Sequence, residues 1–246
     1  MNAPVSIDPE AVIAAYRSLA SKKETLRWDG GPDGKRQILS FKTSDGAVVF
    51  VSMMPVPIRT GEVERAARFS LSALMGIENV MPPHKAHLMV VLRRATPHLL
   101  QHLDRFTSVL ASVMRASPAV GVYWGQAGAA HRRTFFLRIA SERHHGSRVC
   151  LWTGVSVARK ADGRLSLLSL GMKQLGLPDL LLNAPRNRSV SSVVELFVDL
   201  LGYAAKRGKP IPEGDTVGRS QTERLPVHYV TSPIDPQAKV WQIDWW

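Results

Sequence analysis

Val120-Gly121-Val122-Tyr123-Trp124-Gly125-Gln126-Ala127-Gly128 is an apolar, aromatic segment that stops in a glycine-rich turn, and the chain then continues through His131, Arg132 and Arg133. Residues 119–124 read as a buried strand, apolar enough to be central in a sheet. The turn then carries the chain toward a helix over 132–144, where Phe135, Phe136 and Ile139 share an inward face and several arginines face outward. A strand that delivers a loop and cationic residues to one edge of a fold is where binding groups concentrate. The expected binding surface is therefore Gly125, Gln126, Gly128, His131, Arg132, Arg133, Arg138 and Arg143.

The same strand-to-helix alternation extends outward in both directions. Asp8-Pro9-Glu10 opens a helix, with a capping carboxylate, a proline of preset φ and an acid at the positive end. Residues 29–36 read as a glycine-rich joint. The runs 37–43 and 47–54 flank Ser44-Asp45-Gly46, a strong hairpin signal. Residues 61–75 predict a helix, Ala86 to Leu92 a buried strand, and 97–115 the clearest amphipathic helix. In the second half, Val149 to Ala158 and Leu165 to Leu168 predict strands around Asp162-Gly163. A helical piece near 171–175, a strand at 179–183 and a helix at 190–206 follow. Ser192 and Glu195 are spaced as a capping box for that last helix, and Gly208 is its stop signal. Strands near 215–218, 225–231 and 239–244 complete the chain.

The pattern gives an α/β (α+β) fold, a two-layer mixed sheet with helices. It divides into a helical segment at 1–30 and two halves, 31–146 and 147–246, that pack as one domain or two. Each half reads β-β-α-β-α-β, a pseudo-repeat of pattern without sequence identity.

Composition limits the function. The 246 residues carry a formal net charge of +12, with 45% hydrophobic and 21% charged residues. Residues 81–210 alone hold 19 Lys and Arg against 6 Asp and Glu. Such a field suits nucleic acid, anionic lipid or an acidic protein. No apolar run reaches the roughly 18 residues of a membrane helix, and the opening residues do not read as a signal peptide. The single Cys150 excludes an internal disulfide, so a cytoplasmic setting is expected.

Four segments resemble a known bacterial family: 49–57 (Val-Phe-Val-Ser-Met-Met-Pro-Val-Pro), 121–125 (Gly-Val-Tyr-Trp-Gly), 168–179 (Leu-Ser-Leu-Gly-Met-Lys-Gln-Leu-Gly-Leu-Pro-Asp) and 214–218 (Gly-Asp-Thr-Val-Gly). Their order and spacing over 47–246 are similar to the proteins grouped as domain of unknown function 4261. The resemblance implies an α/β protein with no established activity and no catalytic residue to carry over. The stretch 132–148 is more basic than the family leads one to expect.

Chemistry-bearing motifs are sparse. His98 and His102 have the spacing of two metal ligands on a helix, but no zinc-protease glutamate accompanies them, so both read as solvated. His84, His87, His144 and His145 read as surface residues. Cys150 opens the apolar run Val149-Cys150-Leu151-Trp152 and reads as an inert core thiol more readily than a nucleophile. No Gly-x-Ser-x-Gly elbow or phosphate-binding glycine pattern occurs. The glycines at 125 and 128 fit a tight turn better than an anion-binding loop. Asp215 reads as a turn residue.

No catalytic residue, metal or cofactor is therefore expected. The leading expectation is a non-catalytic protein that binds a partner with an acidic surface, in toxin immunity or as an accessory of a secretion locus. Sequence-tolerant nucleic-acid binding through the arginines is one alternative, and an uncharacterised hydrolase is another. The alternating residues 240–244 before Trp245 and Trp246 suit an edge strand; exposed tryptophans there would mark a partner site.

Overall fold

The turn at Asp45-Gly46 shows how the first sheet is set. Gly46 takes a φ of +84°, and the Asp45 carboxylate accepts the Thr43 hydroxyl at 2.6 Å, which closes the β2–β3 hairpin (Ile38–Thr43 and Val48–Met54). The computed structural model describes residues 6–21, 23–30, 38–77, 80–93, 98–142, 145–220 and 222–246. Most of the expected joint at 29–36, together with Arg143 and His144, lies outside the described residues. Within the described residues seven α-helices and twelve strands form three mostly antiparallel sheets, an α+β architecture. The chain divides into two compact units, one of residues 1–67, 80–123 and 130–143, the other of 68–79, 124–129 and 144–246.

In the first unit, α1 (Pro9–Leu19) starts as its sequence dictates: Asp8 accepts from the Glu10 amide at 3.1 Å, and Pro9 occupies the first turn. Its buried face, Val12, Ile13 and Tyr16, packs against α4 (Leu99–Arg115) and a four-stranded antiparallel sheet in the order β1 (Leu26–Gly30), β2, β3, β4 (His87–Arg93). β1 begins ahead of the expected joint and was not anticipated. β4 corrects the expectation of a buried strand. It lies at the sheet's edge, and none of its seven residues is fully buried.

Helix α4 is buried on several sides, and one of its inward residues is Arg105, only 3% exposed. A buried guanidinium needs carboxylates. Arg105 meets Asp45 of the hairpin and, at 3.3 Å, Glu24, which also accepts the Tyr16 hydroxyl at 3.3 Å. One cation therefore joins α1, α4 and the hairpin.

The expected helix over 61–75 is two helices, α2 (Glu62–Arg68) and α3 (Leu71–Leu74). At the break Ser70 bridges Gly154, and the Phe69 carbonyl accepts from the Val155 amide at 2.6 Å. That strand-like pairing occupies backbone groups that a continuous helix would use. The expected strand 119–124 is also not central. β5 (Gly121–Trp124) pairs only with the unexpected β6 (Ala129–Arg132), in a two-stranded ribbon, before α5 (Arg133–Ser141).

In the second unit Val149–Trp152 is not a strand but the end of α6 (His145–Trp152), which packs against α3 and α7 (Val190–Arg207). The strand begins only at β7 (Gly154–Arg159). The six-stranded sheet runs β10 (Thr216–Val217), β11 (Leu225–Thr231), β12 (Lys239–Asp244), β9 (Leu180–Ala184), β8 (Leu165–Leu170), β7. Only β9 and β12 are parallel, and the crossover that a parallel pair requires contains α7. The α7 cap is Ser189, whose hydroxyl accepts from the Ser192 amide at 3.2 Å, three residues ahead of the expected capping box. Gly208 closes the helix at a φ of +67°, as expected. The first unit's sheet has four strands, with α2 and α3 between β3 and β4, and the second unit's has six in a different order, so the expected β-β-α-β-α-β repeat remains a pattern of sequence.

Arg105→Met is expected to lower unfolding free energy by about 3 kcal/mol, because two carboxylates lose their buried partner; urea titration checks it. Burial pushes the Asp45 carboxyl up, but the Thr43 hydroxyl and the Arg105 charge outweigh it, so Asp45 titrates below the ordinary range. Its contribution is present above the unfolded-state value and is lost as pH falls through the folded one, so the Arg105→Met penalty should shrink in strong acid.

Candidate functional site

Trp124 ends β5 inside the second unit, and its indole N–H donates to the Gln174 side-chain oxygen at 2.7 Å. The Gln174 amide nitrogen in turn donates to the Trp152 and Gly171 carbonyls, both at 3.0 Å. A single side chain thus satisfies three groups around the glycine-rich turn. The turn itself is a short 3-10 helix, Gly125–Ala127, closed by Gly128 at a φ of +57°. Ala127 is buried against two glycines. A Cβ on Gly154 would lie 2.3 Å from the Ala127 carbonyl oxygen, and one on Gly171 would lie 3.1 Å from its Cα. Gly171 also has a φ of +111°. Gly125 and Gln126 remain exposed on this seat. The turn is held by Gln174 and close glycine packing, not by membership of a central strand.

The adjoining loop is organised by Asp179. One carboxylate oxygen accepts from the Ser169 hydroxyl at 2.8 Å and the Met172 amide at 3.1 Å, and the Gly171 amide also contributes. The Ser169 hydroxyl accepts from the Leu180 amide at 2.8 Å. Desolvation dominates and raises the Asp179 carboxyl above its usual range, although these donors hold it back. A carboxylate with a raised pKa is a candidate acid or base. Here its donors are its own loop, which makes it a loop-closing group.

The basic stretch in the first unit is less exposed than expected. His131 is fully buried and stacked on Phe135, with ring centroids 5.6 Å apart, so it is corrected from surface to core. Arg132 is half-buried. Arg133 is half-buried too, and its Nη1 lies 2.6, 3.0 and 2.9 Å from the carbonyl oxygens of Met114, Ser117 and Ala119. It ties down the C-terminal end of α4 and is not an outward fork. Arg138 is exposed over the Phe135 ring at 5.5 Å. Arg148 is buried with Cys150 in α6.

The histidines at 84 and 87 are also structural. His84 Nε2 accepts from the Ile58 amide at 3.0 Å, and His87 Nδ1 lies 2.7 Å from the Val56 carbonyl. Among the described residues no three His, Cys, Asp or Glu side chains gather as metal ligands, and no helix is long and apolar enough to cross a membrane. The second unit has an open cleft of about 760 Å3 lined by Asp199, Tyr203, Thr216, Arg219 and Glu223 among others. Arg219 and Glu223 are paired there: the Arg219 amide donates to Glu223 at 2.8 Å and, more than any other contact, holds that carboxyl below its usual range. Sequence reasoning missed this cleft because its lining comes from α7 and the loop after β10.

Two predictions separate structural from surface groups. Arg138→Glu should leave stability within about 0.5 kcal/mol, whereas Arg133→Glu should cost roughly 2 kcal/mol or more by stranding carbonyls; thermal melts distinguish them. Asp179→Ala should cost about 3 kcal/mol by orphaning its donors. Because folding raises the Asp179 pKa, its proton-linked stability is present below the unfolded value and lost as pH rises through the folded one. The stability of Asp179→Asn relative to the parent protein should therefore improve from about pH 3 to about pH 6, measured by denaturation across that range.

No curated protein and no solved structure matches the chain. Residues 168–244 match the family described as Domain of unknown function (DUF4261). That segment holds Gln174 and Asp179, the side chains that fix the glycine-rich turn and its neighbour. The match covers just under a third of the 246 residues and leaves the resembling segments 49–57 and 121–125 outside it.

Proposed function

We propose that this protein is a non-catalytic, cytoplasmic binding protein whose partner is another protein. The observation that supports this reading best is β4. Its register with β3 runs without a bulge from Val48↔Arg93 to Met54↔His87, and it contains no proline. Among the described residues no strand pairs with its outer side. Met89 is 48% and Val91 47% exposed, on the face opposite the Leu88, Val90 and Leu92 side chains that pack on the core.

Natural sheets usually blunt an edge of this kind with a bulge, an inward charge or a proline. A flat, apolar edge is suited to receive a strand from a partner, with main-chain bonds giving affinity and alternate side chains giving selection. Lys85 precedes the strand and Arg93 ends it, which favours a partner strand with acidic flanks over a second copy of β4. Toxin neutralisation and service to a secretion locus are roles such a protein can fill. The interior polar groups described above are consumed by the fold, which weighs against the hydrolase alternative.

Met89→Lys with Val91→Lys places charge on the exposed face while leaving the core face intact, so the melting temperature should hold. In affinity capture from the native host, the parent protein should recover a stoichiometric protein partner and the double variant should lose most of it. Equal recovery by both, or no stoichiometric protein with the parent, refutes the proposal.

A further inference from the structure

Three arginines of the second unit are stacked on its two terminal tryptophans. The Arg188 guanidinium lies 4.5 Å from the Trp245 ring centroid and that of Arg219 5.1 Å from the same ring. Arg164 lies 5.4 Å from the ring of Trp246. Trp245 is buried, whereas Trp246 is 65% exposed.

The topology explains the gathering. β8 begins at Leu165, and the parallel strands β9 and β12 end at Ala184 and Asp244, with Leu165 paired to Ala184 and Asn183 to Asp244. Arg164, the 185–189 loop and Trp245-Trp246 therefore meet at one end of the sheet. Arg186 joins them, its Cβ lying 3.5 Å from where a Cβ on Gly163 would stand. Asp162 offsets Arg164, and Glu223 pairs with Arg219 and also feels the Arg188 charge, while Arg186 and Arg188 are exposed.

We infer that this end of the sheet binds single-stranded nucleic acid, with Trp246 as a stacking surface and Arg186 and Arg188 as phosphate contacts. An exposed aromatic face beside clustered arginines is the combination unpaired strands use: bases stack irrespective of sequence, and guanidiniums follow the backbone. A stacked guanidinium keeps its edge N–H groups available for phosphate. An acidic peptide would answer the charge but leave the tryptophan face unused, and a duplex keeps its bases stacked on each other. This surface lies apart in sequence from the arginines at 132–143 and is independent of the β4 reading.

The test is fluorescence anisotropy of a labelled 15-nucleotide oligothymidylate with the full chain. Binding in the micromolar range is expected at about 50 mM salt, weakening roughly sevenfold by about 200 mM, the dependence for two phosphate contacts on a single strand. Trp246→Ala should weaken binding about tenfold with the salt slope unchanged. Arg186→Ala and Arg188→Ala should each lower the slope by roughly 0.7. A melt confirms that each variant is folded; if Arg188→Ala is not, Arg186→Ala carries the slope test. No binding at about 50 mM salt overturns the inference. So does full affinity in Trp246→Ala, a matched duplex that binds as tightly, or a polyglutamate peptide that binds where the oligonucleotide does not.

Discussion

The engagement of the larger interior polar side chains by their own fold governs this structure. Asp179, Gln174, Arg105 and Arg133 are the side chains with the most evident chemical capacity, and each is engaged by its own fold. Gln174 holds Trp124 and two carbonyls; Asp179 closes the 171–179 loop; Arg105 joins α1, α4 and the first hairpin; Arg133 lies against three carbonyls below α4. A group used in this way cannot leave its partners without exposing unpaired donors or acceptors, at a cost of roughly 1–3 kcal/mol each. Interior polarity here provides rigidity, and the capacity to interact is left at the surface.

The family-matched segment shows what that rigidity supports. Its Gly171 and Gln174, together with Gly154 ahead of the segment, let Ala127 pack closely, so the turn at 125–128 is fixed in position. The parallel pair β9 and β12 brings the hairpin at Asp162, the loop before α7 and the last tryptophans to one end of the sheet. In the first unit the same stiffness keeps β4 straight through seven register pairs. Pairing with an incoming strand requires an edge already in extended form, since ordering it on binding would consume affinity.

Much of this was legible in the sequence where the signals are local. The Asp-Gly hairpins, the Asp8-Pro9-Glu10 start, the long amphipathic helices and the Gly208 stop all depend on a few neighbouring residues. Other features were not legible, for identifiable reasons. Leu88-Met89-Val90-Val91-Leu92 is apolar at every position, so it reads as buried on both faces although one is exposed. Val149-Cys150-Leu151-Trp152 is too short for periodicity to separate a helix from a strand. Arg133 looked like a surface cation because the carbonyls it serves lie 14 to 19 residues earlier. The Trp124–Gln174 bond spans 50 residues, and no local pattern announces it.

In the function proposed above, the protein acts through the preformed edge of β4. Amide hydrogen exchange, measured on the protein alone and with its captured partner, tests it most directly. The account predicts new protection concentrated in residues 87–93, with little change in the amides around Gln174 and Asp179, which are already bonded. Protection confined to other elements, with β4 exchanging as fast in the complex as in the free protein, would contradict it.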